Sequence, residues 1–148
     1  MKDKFLIIED EPADATLLKR ALSGAAPDVD IQVLQDGDEA LSHLLPSGDD
    51  ARGTADSRPT CILLDLKLRK LDGHEVLKAL KEDHRTRRIP VVILTSSSDP
   101  TDVKRAYDLG ANSYLIKPVR SQDLGRMSER LIDYWTRTNH FPRDGHAF

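Results

Sequence analysis

The chain has 148 residues, 39% of them hydrophobic, a size that fits one domain around one core. Its formal charge of -3 gives no general electrostatic reason to bind nucleic acid or an anionic membrane, and its single cysteine, Cys61, excludes an intramolecular disulfide or a cysteine-rich zinc site. Met1-Lys2-Asp3-Lys4 leads into an apolar run too short for a signal peptide or a membrane span, so a cytoplasmic location is expected.

Apolar runs and helix-period segments alternate along the chain. Phe5 to Ile8 reads as a buried strand, followed by Leu17, Leu18, Ala21, Leu22 and Ala25 at helical spacing. Ile31 to Leu34 is a second strand, and Ala40, Leu41, Leu44 and Leu45 mark a short helix. From Pro46 to Pro59 the sequence is rich in Ser, Gly, Asp and Arg, which predicts a long solvated loop over 46–59. Cys61 to Leu64 forms a third strand ending at Asp65, and Val76, Leu77 and Leu80 place the next helix. Val91 to Leu94 is a fourth strand ending at Thr95, before a helix through Val103, Ala106 and Tyr107 that Gly110 stops. Ser113 to Ile116 is the fifth strand, and Leu124, Met127, Leu131 and Trp135 outline a final helix. Continuously apolar strands point to burial on both faces, hence an α/β, doubly wound parallel sheet with helices on each side. The domain is expected to occupy 1–138, with 139–148 as a tail lacking regular structure.

The carboxyl ends of the strands in such a sheet form the crevice where ligands gather. Glu9-Asp10 ends the first strand, Asp65 the third, Thr95 the fourth and Lys117-Pro118 the fifth. Three carboxylates in one crevice favour a cation, and Mg²⁺ suits them because it keeps several waters and needs few protein ligands. Glu9 and Asp10 are adjacent, so one ligates directly while the other acts through water. Lys117 would offset the charge of an incoming phosphoryl group, Asp65 would be the nucleophile forming an acyl phosphate, and Thr95 would donate its hydroxyl to a phosphoryl oxygen.

Glu9-Asp10, Asp65, Asp72-Gly73, Thr95 and Lys117-Pro118, in this order at these strand ends, resemble the receiver domain of two-component response regulators over nearly the whole chain. The resemblance implies a flavodoxin-like five-stranded sheet in the order 2-1-3-4-5. It also implies phosphorylation of Asp65 by a histidine kinase or phosphotransfer protein, and a switch in which Thr95 moves and Tyr114 rotates inward. The Lys117-Pro118 bond is expected to be cis on the same ground. In this family the residue two after the phosphoacceptor supplies a backbone carbonyl to the metal, here Lys67. Two departures stand out. Arg69 occupies a position that is often proline, so its loop is either more mobile or presents Arg69 to a partner. Lys67 either reaches the phosphoryl group and prolongs its lifetime or is simply solvated.

With no evident output domain after the fifth helix, the protein is expected to act by binding partners. The long loop before strand three, Arg88 to Val92, Leu94 to Ser97 and the prolonged final helix are similar to the small regulators that partner bacterial phytochromes, making a phytochrome-type kinase a candidate donor. Tyr134 and Trp135 either cap the core or build a homodimer interface on helix four, strand five and helix five, with Phe141 added. His43, His74, His84, His140 and His146 are scattered and form no phosphotransfer site. Arg85 to Arg88 reads as a solvated loop without the aromatic platform of a nucleic-acid surface. The competing function is a constitutive receiver-like binding module that does not accept phosphate. A haloacid dehalogenase-type phosphatase is excluded because Lys67 stands where that family needs a second aspartate.

Overall fold

The computed structural model describes residues 2–47 and 58–142. Strands β1 (Lys4–Ile8), β2 (Asp30–Leu34), β3 (Cys61–Leu64), β4 (Val91–Thr95) and β5 (Ser113–Ile116) form one parallel sheet in the order β2-β1-β3-β4-β5. Helices α1 (Pro12–Ala25), α2 (Gly37–Leu44), α3 (Gly73–Glu82), α4 (Pro100–Asp108) and α5 (Ser121–Asp133) alternate with them. The doubly wound architecture and the strand order are those expected. Most of the long loop expected over 46–59, and the tail from 143 onward, lie outside the described residues.

Side-chain alternation along the strands divides the core into two layers. Leu6, Ile8, Ile62 and Leu64 face α2, α3 and α4 through Ala40, Val76, Leu77, Leu80 and Ala106. Phe5, Ile7, Cys61 and Leu63 face α1 and α5 through Leu18, Leu22, Leu131 and Ile132. Each fully buried Leu or Ile contributes about 1.5–3 kcal/mol, and a one-residue slip would exchange the two faces, so the register is strongly determined. The strongly apolar β3 and β4 are buried throughout, as is β1 from Phe5 to Ile8. β5 departs from the expected burial because it is an edge strand, and Ile116 is exposed. Leu17 and Tyr107, counted in apolar helical stripes, also face outward rather than joining the core.

Of the five helices that start at the site end of the sheet, four have a side-chain cap. Glu11 accepts from Ala13 N, Asp36 from Glu39 N, Asp72 from Glu75 N and Asp99 from Thr101 N. A cap of this kind is worth about 1 kcal/mol and fixes where each loop turns into its helix. At the opposite end, Lys81 Nζ donates to Arg87 O (3.1 Å), Ile89 O (2.9 Å) and Asn112 Oδ1 (2.9 Å), tying α3 to the segments before β4 and β5. The basic run there is not merely solvated. Arg85 pairs with Asp83 at 3.0 Å and donates to Pro46 O, while Thr86 is buried with its hydroxyl on Leu80 O.

After α5 the chain makes a π-helical turn, Tyr134–Thr138, closed by Asn139 N on Tyr134 O. The wider turn carries Trp135 into the layer under α5, where Phe141 also packs. Tyr134 stays exposed with its ring edge-on to Trp135, centroids 4.8 Å apart.

Candidate functional site

Backbone bonds just beyond the strand ends align the residues singled out in the sequence. Glu9 N donates to Leu34 O, Asp65 N to Ile8 O (3.1 Å) and Lys117 N to Thr95 O (2.8 Å). Glu9, Asp65 and Thr95 are buried there, and the Lys117 side chain crosses the crevice to meet Glu9 and Asp65. Its Nζ donates to Asp65 Oδ2 at 2.9 Å, to Asp14 Oδ2 at 2.9 Å and to Glu9 Oε1. Lys67 N donates to the other Asp65 oxygen, Oδ1, at 3.2 Å, while the Lys67 side chain is exposed.

These groups set one another's charge. Burial pushes the Glu9 carboxyl up to about 7; the Lys117 hydrogen bond opposes this and the Asp65 charge adds to it. Burial by itself would lower the Lys117 ammonium, but its hydrogen bonds to Glu9, Asp65 and Asp14 outweigh that and hold it above the usual lysine range. The lysine therefore stays charged, while the Glu9 carboxyl holds a proton to higher pH than an ordinary glutamate.

The segment from Leu66 to Asp72 is seated on two glycines. A Cβ on Gly73 would lie 2.3 Å from Asp65 O and 2.5 Å from Leu66 Cα, so only glycine lets α3 start against the backbone of Asp65. A Cβ on Gly37 would lie 2.5 Å from Leu71 O, so the same segment also packs closely on the start of α2. Lys70 takes the left-handed conformation at φ 64° and pairs with Asp36 at 3.6 Å. This turn directs Arg69 back over the crevice. Arg69 N and Nε donate to Asp10 Oδ2 at 2.9 and 3.3 Å, and Nη2 donates to Asp10 O at 3.1 Å. Arg69 is thus paired with Asp10 while most of its side chain remains exposed.

The acids are not gathered into a ready-made cage. Among the described residues no three acidic, histidine or cysteine side chains converge on one point; Lys117 bridges Glu9 and Asp65, and Arg69 holds Asp10. The donor set still fits a hard divalent cation. Four carboxylates, Glu9, Asp10, Asp14 and Asp65, face only two cationic side chains, and every available donor is an oxygen. The raised Glu9 carboxyl reflects burial first, with the neighbouring Asp65 charge adding to it. The Lys117-Pro118 bond corrects another expectation: among the described residues no peptide is cis. Trans is the favoured isomer even before proline, and Lys117 reaches Asp65 with it.

On the other side, Thr95 Oγ1 accepts from Ser97 N at 3.4 Å, which leaves its O–H available to donate. Ser97 is the centre of that loop. Its hydroxyl donates to Asp102 Oδ2 at 2.6 Å, and its carbonyl accepts from the Tyr114 hydroxyl at 2.9 Å. Thr95 and Tyr114 are thus two steps apart through one serine. Buried His74 adds a contact at 3.3 Å from its Nε2 to Asp102 O, joining α3 to α4. Sequence reasoning missed Asp14, Ser97 and His74. Asp14 lies in the first turn of α1, directly after the Glu9-Asp10 loop, a position that would have placed it near the same crevice.

The comparisons with known proteins agree with this architecture. Residues 5–129 match the response regulator receiver domain. The chain is 43% identical over 138 residues to the probable methanogenesis regulatory protein FilR2 of Methanothrix harundinacea, spanning 93% of this chain and 86% of that one. It is 37% identical over 138 residues to response regulator Rcp1 of Synechocystis, spanning 93% and 92%. Among solved structures, the phosphorylated cyanobacterial phytochrome response regulator RcpA superposes with a TM-score of 0.87 at 35% identity, covering 97% of this chain and all 100% of the other. The Mn²⁺-bound form of Rcp1 superposes at 0.82 with 36% identity, covering 95% and 99%. A sheet in this order, with a family match that runs from β1 into α5, leaves one conclusion: the chain belongs to the response regulator receiver-domain family of two-component signalling.

Proposed function

We propose that Asp65 is the phosphoacceptor and that its phosphorylation switches the protein between partners. The observation that carries this reading is the buried Asp65 carboxylate at the end of β3, with the Lys117 ammonium 2.9 Å away. An Asp65 oxygen attacks the phosphorus of a phosphohistidine. The O–P bond forms as the P–N bond breaks, and the electron pair leaves with the imidazole nitrogen. Lys117 keeps its proton and offsets charge on the phosphoryl oxygens. Asp10, Asp65 and the Lys67 backbone carbonyl would hold Mg²⁺, with Glu9 acting through water, and the ion would supply the remaining charge neutralisation. Hydrolysis reverses the state when water attacks phosphorus and the Asp65 carboxylate leaves.

Thr95 turning its free O–H toward the phosphoryl group would withdraw Oγ1 from Ser97 N and so disturb the Ser97 carbonyl that holds Tyr114. Two surfaces fit the partners. A groove of about 250 Å³ beside the site is lined by Asp14, Leu17, Leu94, Lys117, Pro118 and Val119, with Leu17 48% exposed on its rim, and it suits docking of a histidine kinase or phosphotransfer protein. RcpA is a phytochrome response regulator, which favours a phytochrome-type kinase as the donor here. Exposed Tyr107, Ile116 and Tyr134 lie on α4, on β5 and just after α5, and they suit a homodimer formed across that face.

Incubation with acetyl phosphate, with and without Mg²⁺, followed by intact mass and sizing, tests this. A Mg²⁺-dependent phosphoryl adduct, absent in Asp65→Asn, is expected, with a larger species on sizing if dimerisation is the output. No adduct from acetyl phosphate or from a histidine kinase would instead favour a constitutive binding module.

A further inference from the structure

Arg69 is the residue that the phosphoryl chemistry leaves without a role, yet its position is strongly determined. The Cβ-free approaches at Gly37 and Gly73, the left-handed Lys70 and the Lys70–Asp36 pair fix the turn that carries it. Its three donors all converge on Asp10, whose side chain is only 15% exposed, although the arginine itself is 75% exposed. Two of those donors sit on one oxygen, Oδ2. A guanidinium held this way is a cation already in place on a carboxylate that a metal would need.

We propose that Arg69 is a built-in competitor for the divalent cation: it occupies Asp10 Oδ2 and must swing away for the metal to bind there, which lowers metal affinity and makes it depend on ionic strength. This rests on the reading of Asp10 as a metal ligand. Arg69 would then act as a positioning residue, outside the chemistry itself. The exposed guanidinium can leave without disturbing the core, whereas the backbone N–H of Arg69 stays. The competition therefore has a removable part and a fixed part. A partly exposed pair of this type moves a competing equilibrium by about threefold, and screening weakens it as salt rises.

The experiment is binding of Mn²⁺ alone, read from the free-ion resonance signal, to the full chain and to Arg69→Ala, Arg69→Pro, Lys19→Ala and Asp10→Asn. Lys19 lines the groove shared with Glu9 and Asp10, so its variant reports the effect of removing a nearby positive charge. Arg69→Ala is expected to bind about threefold more tightly at low salt, with the gain shrinking as salt rises. Arg69→Pro, which lacks the N–H as well, should bind at least as tightly. Lys19→Ala should move less than Arg69→Ala. Unchanged or weaker binding in Arg69→Ala, or an equal gain in Lys19→Ala, would overturn the competitor role while leaving the metal site standing. Binding that Asp10→Asn does not weaken would overturn the metal site, and the competitor with it.

Discussion

Gly73→Ala puts the coupling between fold and site under direct test. The added methyl would lie 2.3 Å from Asp65 O, 2.5 Å from Leu66 Cα and 3.0 Å from Asp65 C, all backbone atoms with no rotamer to give way. Relief needs a shift of roughly 1 Å in either the start of α3 or the end of β3, and overpacking of that severity costs about 1–3 kcal/mol. Alanine regains up to about 1 kcal/mol of helix propensity, so a net loss of about 1 kcal/mol is expected. The chemistry should suffer more, because a displacement of about 1 Å at a reacting carboxylate is worth roughly a hundredfold in rate. Urea unfolding gives the first quantity and acetyl phosphate labelling of Asp65, followed by mass, gives the second. Gly125→Ala in α5 is the control: nothing lies within 4 Å of its Cβ position, and a gain of up to about 1 kcal/mol is expected. A Gly73→Ala protein as stable and as readily labelled as the parent would refute the claim that this contact sets the position of Asp65.

Three further outcomes follow from the electrostatics and the loop network. Glu9, raised to about 7, binds more protons in the folded than in the unfolded chain between its ordinary 4.5 and 7. Without divalent ions, its contribution to stability is therefore full below 4.5 and lost as pH rises to 7, and Glu9→Gln should flatten that slope in a thermal series. Asp83 is held down at about 2, first by the Arg85 side-chain hydrogen bond, so its contribution is present above its ordinary 3.8 and lost as pH falls toward 2. After allowance for screening, Asp83→Asn should cost about 1 kcal/mol at neutral pH and almost nothing near pH 2, measured by denaturant unfolding. Tyr114→Phe removes the bond to Ser97 O and should cost about 1 kcal/mol, with faster amide exchange across Ser96 to Asp99. Unchanged exchange there would detach Tyr114 from the loop.

The sequence made the frame of the site legible because each functional residue directly follows an apolar run, and strand ends in a parallel sheet share one edge. Glu9, Asp65, Thr95 and Lys117 needed no more than that to be placed together. The strand order came from resemblance rather than from periodicity, since right-handed crossovers allow several orders. What stayed hidden depends on direction within loops. Nothing in the residue types around Lys70 shows that it turns left-handed, and only that turn brings Arg69 back onto Asp10. The role of Gly73 was equally hidden, because Asp-Gly reads as ordinary turn chemistry until Asp65 O is found 2.3 Å from its missing Cβ. The π-helical turn at Tyr134–Thr138 escaped for another reason: it preserves an apolar spacing that a plain helix also satisfies.

The measurement closest to the centre of the proposed function is chemical trapping of the phosphoryl group. The protein would be labelled with acetyl phosphate and Mg²⁺, reduced with borohydride to convert any acyl phosphate to an alcohol, digested and mapped by mass. Reduction confined to position 65, and lost when Mg²⁺ is chelated, is the expected result. A label on another carboxylate, or reduction at position 65 that does not require the metal, would contradict the roles given to Asp65 and to the acids around it.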